Sequence, residues 1–283
     1  MAQRVVAGLL EHPCRLRADR IGPVSFIEDV FGLAGKVALV TGGYRGIGAA
    51  ISEGLASLGA KVAVTGIEAG QADEFARALQ SRGHDVYSAA FDVLSVDDTR
   101  RMTDDVVKHF GRLDILVNCV GVNREQPADE VTEDVFDNVL DINLKGAMFQ
   151  AQAAALHMIR QGSGGKHVHI GSVRTQLALR GRGYAAYCAS KGGLGALCKQ
   201  LAAEWAPQGI NVNVVAPTFV NTEMSAHMLA DESFYNSLVS RIPLGRIAEP
   251  RDVMNAVLFL VSPASDFITW QILYVDGGIT ATQ

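Results

Sequence analysis

From Lys36 onward, short runs rich in β-branched residues alternate with amphipathic stretches of helix length, and this alternation limits the chain to very few folds. The predicted strands are Val37 to Thr41, Val62 to Thr65, Val86 to Phe91, Ile115 to Val120, His167 to Ile170, Ile210 to Val215 and Ile272 to Val275. Between them, Ile47 to Leu58, Thr99 to Phe110, Val135 to Ile159, Ala189 to Trp205 and Asp252 to Val261 carry apolar residues at the spacing of one helix face. Strand and helix in turn call for an α/β fold, a doubly wound, Rossmann-type arrangement with a seven-stranded parallel sheet and helices on both faces. Ser95 followed by Asp98 predicts a helix start, and Pro217 ends the sixth strand. The stretch 218–246 gives no clear pattern.

A chain of 283 residues with 48% apolar and 19% charged residues can bury one large core. We expect a single catalytic domain over 31–283, preceded by an extension over 1–30 of undetermined role. The formal charge of −5 is spread along the chain, so no basic stripe invites nucleic acid. Cys14, Cys119, Cys188 and Cys198 form no CxxC pair, which fits reduced thiols and a cytoplasmic protein. The first apolar run, Val5 to Leu10, is short for a signal-peptide core, and no later run has the length of a membrane span. His167 and His169 lie two apart in a strand without carboxylates or thiols at ligand spacing, so we expect packed residues and no metal.

The first strand runs into Thr41-Gly42-Gly43-Tyr44-Arg45-Gly46-Ile47-Gly48, and a helix pattern follows at once. Glycines in such a turn let a pyrophosphate approach the backbone amides at a helix N-terminus. A glycine turn alone is a weak signal. Its place after the first strand strengthens it, and so do Asp92 after the third strand, Asn118 and Gly121 after the fourth, Asn143 in a helix, Ser172 after the fifth, and the pentad Tyr187-Cys188-Ala189-Ser190-Lys191.

With that set, the chain from about Phe31 to its end resembles the short-chain dehydrogenase/reductase family. The resemblance is greatest to gluconate 5-dehydrogenase-like members, through Gly121-Val122-Asn123-Arg124, His157-Met158-Ile159, Gly171-Ser172-Val173, Trp205-Ala206-Pro207 and Leu273-Tyr274-Val275-Asp276-Gly277-Gly278. It implies a hydride transfer between a nicotinamide cofactor and a secondary alcohol or ketone of a sugar acid or polyol. It further implies cofactor contacts from Gly42, Tyr44, Arg45, Gly46, Ile47, Gly48, Asp92, Val93, Asn118, Gly121, Tyr187, Lys191, Pro217, Val220 and Thr222, with Asp92 on the adenine edge. Ser172 would hold the substrate oxygen in line with Tyr187, and Asn143 would fix a water relaying protons from Lys191. By the same analogy the chain forms a homotetramer, with Gly192, Gly193 and Gly195 permitting close approach of a neighbour or serving contacts within the chain.

Three departures stand out. The usual Asn-Asn-Ala-Gly is Asn118-Cys119-Val120-Gly121, the usual Pro-Gly is Pro217-Thr218, and the span from Ser172 to Tyr187 is two residues longer than in many relatives. The cofactor signals conflict, and Ile67 stands where NADP-dependent relatives often carry an arginine. Gly66 stands where NAD enzymes carry a carboxylate, and Arg45 could reach a 2′-phosphate, whereas Glu68 could take up the ribose hydroxyls. The balance tips toward NADP over NAD.

Tyr187 and Lys191 are four apart on one helix face. An ammonium ~4 Å from a phenolate is worth roughly 4 kcal/mol at an effective dielectric of ~20, so the phenol is expected to fall toward neutrality, by up to ~3 pKa units. Tyr184, whose fourth successor is Cys188, is read as a decoy. Arg124, Arg174, Arg180 and Arg182 fall in loops expected around the crevice, where a guanidinium suits a sugar carboxylate. Arg174, two residues after Ser172, is the one expected to reach the substrate. Met224, Met228, Leu229, Phe234 and Tyr235 leave a 3-oxoacyl carrier-protein reductase as the alternative, with these residues lining an acyl groove. A cofactor-sensing protein without turnover is a third reading, which the intact Ser172, Tyr187 and Lys191 set opposes.

Overall fold

The seven strands β1 (Val37–Thr41), β2 (Lys61–Gly66), β3 (Val86–Ala90), β4 (Ile115–Asn118), β5 (Gly165–Ile170), β6 (Ile210–Pro217) and β7 (Ile272–Val275) form one sheet in the computed structural model, which describes residues 23–282. Every neighbouring pair is parallel, in the order β3-β2-β1-β4-β5-β6-β7. The helices of the described residues are α1 (Pro23–Phe31), α2 (Gly46–Ser57), α3 (Ala69–Gln80), α4 (Val96–Phe110), α5 (Glu133–Leu140), α6 (Gly146–Gln161), α7 (Ala185–Trp205), α8 (Glu223–Leu229), α9 (Glu232–Val239) and α10 (Pro250–Val261).

Both faces of the sheet are covered, which is why β1 reads as an unbroken apolar run and is buried along its whole length. Ala38, Val40, Val62 and Val64 pack against Ile51 and Leu55 of α2 and Val253 and Val257 of α10. The alternate residues Val37, Leu39, Leu116 and Val212 meet Met102 and Val106 of α4, Ala151 and Ala154 of α6, and Leu194 and Leu201 of α7. From β1 the chain winds first toward β3 and then back toward β7. The carboxyl ends of β1 and β4 therefore diverge into the crevice where ligands of such folds bind.

Several stretches differ from the sequence reading or complete it. The helix expected from Val135 to Ile159 is two helices, α5 and α6, joined by a π-helical turn at Asp141–Lys145. The open stretch 218–246 holds α8, whose start is capped by Thr222 and Ser225, and α9, capped by Asp231. Leu238, Ile242 and Ile247 pack with Val173 and Ile279 as a small separate core beneath them. Helix α1 falls largely inside the stretch expected to be an extension and lies against the turn Pro263–Ser265. Residues 1–22, with Cys14, lie outside the described residues. Helix α3 over Ala69–Gln80 has no counterpart among the named predicted helices, α7 starts at Ala185 ahead of the predicted Ala189, and β3 and β4 end one and two residues before the predicted Phe91 and Val120. The predicted helix start at Ser95 is observed, its hydroxyl accepting from the Asp98 amide at 3.1 Å.

His167 and His169 on β5 are fully buried. His167 lies edge-on to Trp205 at 5.5 Å and approaches the Met158 sulfur at 3.3 Å, and His169 faces the Asn118 amide at 3.4 Å. Burial holds them down to about 3 and about 4, against an ordinary 6.5, each helped by a neighbouring positive charge. The unfolded chain therefore takes up protons first as pH falls. Stability is complete above pH 6.5 and is expected to decline from there toward about pH 4, by at most about 1.4 kcal/mol per pH unit for each histidine. Chemical denaturation from pH 7 to 4.5 checks this; His167→Leu should flatten the slope, and an equal slope in parent and variant would contradict it.

Candidate active site

The turn between β1 and α2 is shaped by its glycines. Gly42 has φ +68°, its amide donates to Thr65 O at 2.6 Å, and a Cβ on Gly48 would stand 2.0 Å from Gly42 O. Substitution at Gly48 would push helix and strand apart. Arg45 occupies the N-cap of α2 with extended backbone and no side-chain capping bond, so the first-turn amides are not capped by Arg45 and face the space over the turn. Thr222 approaches the same turn, 3.4 Å from where a Cβ on Gly46 would lie.

Tyr44 is buried, and its ring lies over Gly66: a Cβ there would be 2.2 Å from Tyr44 Cε1. A side chain at position 66 would have to displace the Tyr44 ring. Arg45 stacks on the outer face of Tyr44 and stands 3.9 Å from Glu68. The two residues that sequence reasoning set against each other hold each other. Farther along the crevice, Asp92 accepts from the Leu94 amide at 3.0 Å, and Val93 packs against Gly146.

Asn118 closes β4. Its Oδ1 accepts from the Thr41 hydroxyl at 3.2 Å and the Val120 amide at 3.0 Å, which ties β1 to the exit of β4. Asn143 occupies the π-helical turn and is 1% exposed. Its Oδ1 accepts from Val122 N at 2.8 Å, and its Nδ2 donates to Val122 O at 2.8 Å and to Ser190 Oγ at 3.0 Å. Both amide hydrogens are therefore spent on protein. A π turn is a distortion common at functional sites, and Asn143 sits at its centre.

A cavity of about 460 Å³ opens beside the glycine turn, lined among others by Ile47, Gly121, Ser172, Arg174, Tyr187, Lys191, Pro217, Val220 and Thr222. Ser172, Tyr187 and Lys191 thus meet, with Asn143 directly behind Gly121. Lys191 is 4% exposed, and its ammonium donates to Ile170 O at 2.8 Å while standing 5.7 Å from the Tyr187 ring centre. Burial lowers it to about 8.

Tyr187 corrects the sequence reading. Part of its ring faces the cavity, yet protein surrounds it so fully that loss of water pushes the hydroxyl up to about 12, with the Ser172 hydroxyl pulling the other way. The simple charge argument omitted this desolvation, and the cation that draws Tyr187 downward is the Arg174 guanidinium in the same wall.

Of the four loop arginines, Arg174 forms part of the cavity wall and Arg124 its exposed rim, Arg180 faces solvent, and Arg182 pairs with Glu125 at 2.5 Å. Tyr184 is no decoy in structural terms. It is buried in the cavity wall, edge-on to Tyr187 at 5.9 Å. Sequence reasoning also missed Asn123, Thr218 and His227, which line the cavity, and Ser190, which holds Asn143. Asn123 and Thr218 lie in loops and His227 in the short α8, where no spacing singles them out, and Ser190 lies inside the pentad with no role read for it there. Of the apolar residues proposed for an acyl groove, Met224 and Met228 reach the cavity, whereas Leu229 and Phe234 pack into the small third core. Gly193 and Gly195 serve contacts within the chain, to Leu144 and Ile272, and Gly192 is open. Cys119 is held up at about 12 by burial, so it is a packed thiol. Among the described residues no helix is long and apolar enough to cross a membrane.

Removing the Asn143 side chain should leave both polar groups of Val122 without partners. Asn143→Ala is expected to cost about 2 to 4 kcal/mol, with faster hydrogen exchange at the Val122 amide. Unchanged protection there would contradict the bonding described.

Comparison with known proteins agrees with this geometry. A family model described as enoyl-(acyl carrier protein) reductase matches residues 42–280. Gluconate 5-dehydrogenase of Gluconobacter oxydans (strain 621H) is 38% identical over 90% of this chain and 98% of its own length. D-threitol dehydrogenase of Mycolicibacterium smegmatis is 40% identical over 88% and 95%. The crystal structure of a gluconate 5-dehydrogenase from Burkholderia cenocepacia J2315 in complex with NADP and tartrate superposes with a TM-score of 0.87 at 37% identity, covering 90% of this chain and 99% of that one. The chain belongs to the short-chain dehydrogenase/reductase family and is a nicotinamide-dependent oxidoreductase acting on CH–OH groups.

Proposed function

We propose that the chain interconverts a secondary alcohol and a ketone in a sugar acid or polyol, with NADP preferred over NAD. The observation that carries this reading is the meeting of Ser172, Tyr187 and Lys191 in one cavity beside the glycine turn. The names and sequence similarity of the relatives support the substrate class.

When bound, the nicotinamide accepts or supplies the hydride and, in its oxidised form, brings a positive charge. The residues of the chain handle the proton. Ser172 orients the substrate oxygen, and the Tyr187 hydroxyl takes up the proton leaving an alcohol or returns it to a ketone. Because burial holds Tyr187 near 12, its proton-accepting form requires positive charge at its side; the Arg174 guanidinium favours it from the cavity wall, and the Lys191 ammonium stands 5.7 Å from its ring centre. Asn143 acts through Val122 and Ser190 to hold the wall that positions Lys191. The amides opening α2, with Thr222, suit the pyrophosphate, and Asp92 the adenine edge.

For the cofactor, the Arg45 guanidinium over Tyr44 fits a 2′-phosphate, and glycine at position 66, packed under the Tyr44 ring, leaves no carboxylate there to repel it. The free thiols Cys119, Cys188 and Cys198 fit a cytoplasmic enzyme. A homotetramer is the proposed assembly, by analogy with the family, and light scattering checks it.

Tyr187→Phe should bind cofactor as the parent does but lose turnover by about 10²- to 10⁴-fold. Lys191→Met should also lose turnover and move any residual pH optimum upward. Retained activity in Tyr187→Phe, or an unchanged pH profile in Lys191→Met, would refute these roles. Arg45→Ala should raise KM for NADP more than for NAD by about 1 to 2 kcal/mol, a factor of about 5 to 30. Glu68→Gln, which releases Arg45 and removes a negative charge, should lower KM for NADP. Equal effects of each change on both cofactors would overturn the preference.

A further inference from the structure

The cavity holds a second cation beside Lys191, and its hydrogen bonds are incomplete. Arg174 is 4% exposed, its Nη1 donates to Leu177 O at 3.1 Å, and its Nη2 is buried with no hydrogen-bond partner. The ionisable groups around it are Cys188, Tyr184, Tyr187 and Arg241, with no carboxylate among them. A guanidinium withdrawn from water ordinarily has an anion against it, because unpaired N–H groups there are costly. This one has none from the described residues and lines a cavity.

Two neutral atoms of the same wall share this condition. Asn123 Oδ1 and Thr218 Oγ1 are both buried and without partners. Thr218 stands where many relatives have glycine, so the change places a hydroxyl in the cavity wall. An acceptor, a hydroxyl and a cationic donor left open beside Ser172 and Tyr187 are a poor fit for an acyl chain, which would leave all three unpaired.

We infer that Arg174, Asn123 and Thr218 form a subsite for a polyhydroxy carboxylate, with the carboxylate on Arg174 Nη2 and hydroxyls of the same molecule on Asn123 Oδ1 and Thr218 Oγ1. The inference rests on the proposed sugar acid or polyol activity and narrows it to the acid. Arg174 is the residue that separates acid from neutral polyol, since a hydroxyl gains little from a buried cation that a carboxylate neutralises.

The test compares D-gluconate with its neutral counterpart D-sorbitol as substrates, and tartrate with threitol as calorimetric ligands of the NADP-loaded enzyme. Arg174→Met should lower kcat/KM on gluconate by about 10- to 100-fold and on sorbitol by less than about 3-fold. Arg174→Lys should recover part of the loss, and Asn123→Ala should weaken acid and polyol alike. Equal losses on gluconate and sorbitol in Arg174→Met, with both turned over by the parent, would overturn the subsite and leave the proposed activity standing. If the parent turns over neither, calorimetry decides: tartrate binding that needs Arg174 while threitol binds weakly throughout would keep the subsite and remove the activity. Tartrate binding indifferent to Arg174 would remove the subsite. Unchanged NADP affinity in each variant shows that it is folded.

Discussion

Asn143 joins two pieces of backbone that the sheet alone would leave independent. On one side it takes both polar groups of Val122, in the segment leaving β4, and on the other it bonds Ser190, one residue before Lys191. Asn118 does the same one step earlier, bonding Thr41 of β1 and the Val120 amide. Together these buried amides fix the exit of β4 relative to the glycine turn on one flank and to α7 on the other. Asn143 does this from the π-helical turn Asp141–Lys145, between α5 and α6. Satisfied buried amides of this kind are costly to remove and specify one arrangement of the backbone around them.

The proton-transfer pair stands inside this frame under opposing forces. Burial raises Tyr187 to about 12 and lowers Lys191 to about 8, so desolvation favours the neutral form of each. Charge must be brought to the pair for the phenol to accept a proton. In the proposed mechanism that requirement ties proton transfer to the oxidised cofactor. The same cost of burial explains why His167 and His169, close beneath the site, serve as neutral packing groups.

The parallel sheet was legible because strands covered on both faces must be apolar throughout, as in Val37–Thr41. The pentad and the glycine turn were legible because their chemistry requires fixed spacing along one helix or one turn. Other features were not. Helices α8 and α9 are too short to show a period, and the π-helical turn leaves no compositional mark in a stretch that reads as one helix. Tyr184 looked idle because its fourth successor carries no charge, although its position in the cavity wall depends on a loop, not on spacing. Arg174 was placed correctly at the crevice, but its burial and its unpaired nitrogen belong to tertiary packing. The cofactor could not be decided by weighing Arg45 against Glu68, since the two are partners across the turn.

The dependence of Tyr187 on added positive charge is open to direct observation by ultraviolet difference titration of tyrosinate, with and without saturating oxidised cofactor. In the protein alone, no tyrosine whose signal vanishes in Tyr187→Phe should ionise well below about 12. With oxidised cofactor bound, that signal should appear at clearly lower pH, and Lys191→Met should move it back upward. A Tyr187 signal that titrates at the same pH with and without the oxidised cofactor would contradict the mechanism at its centre.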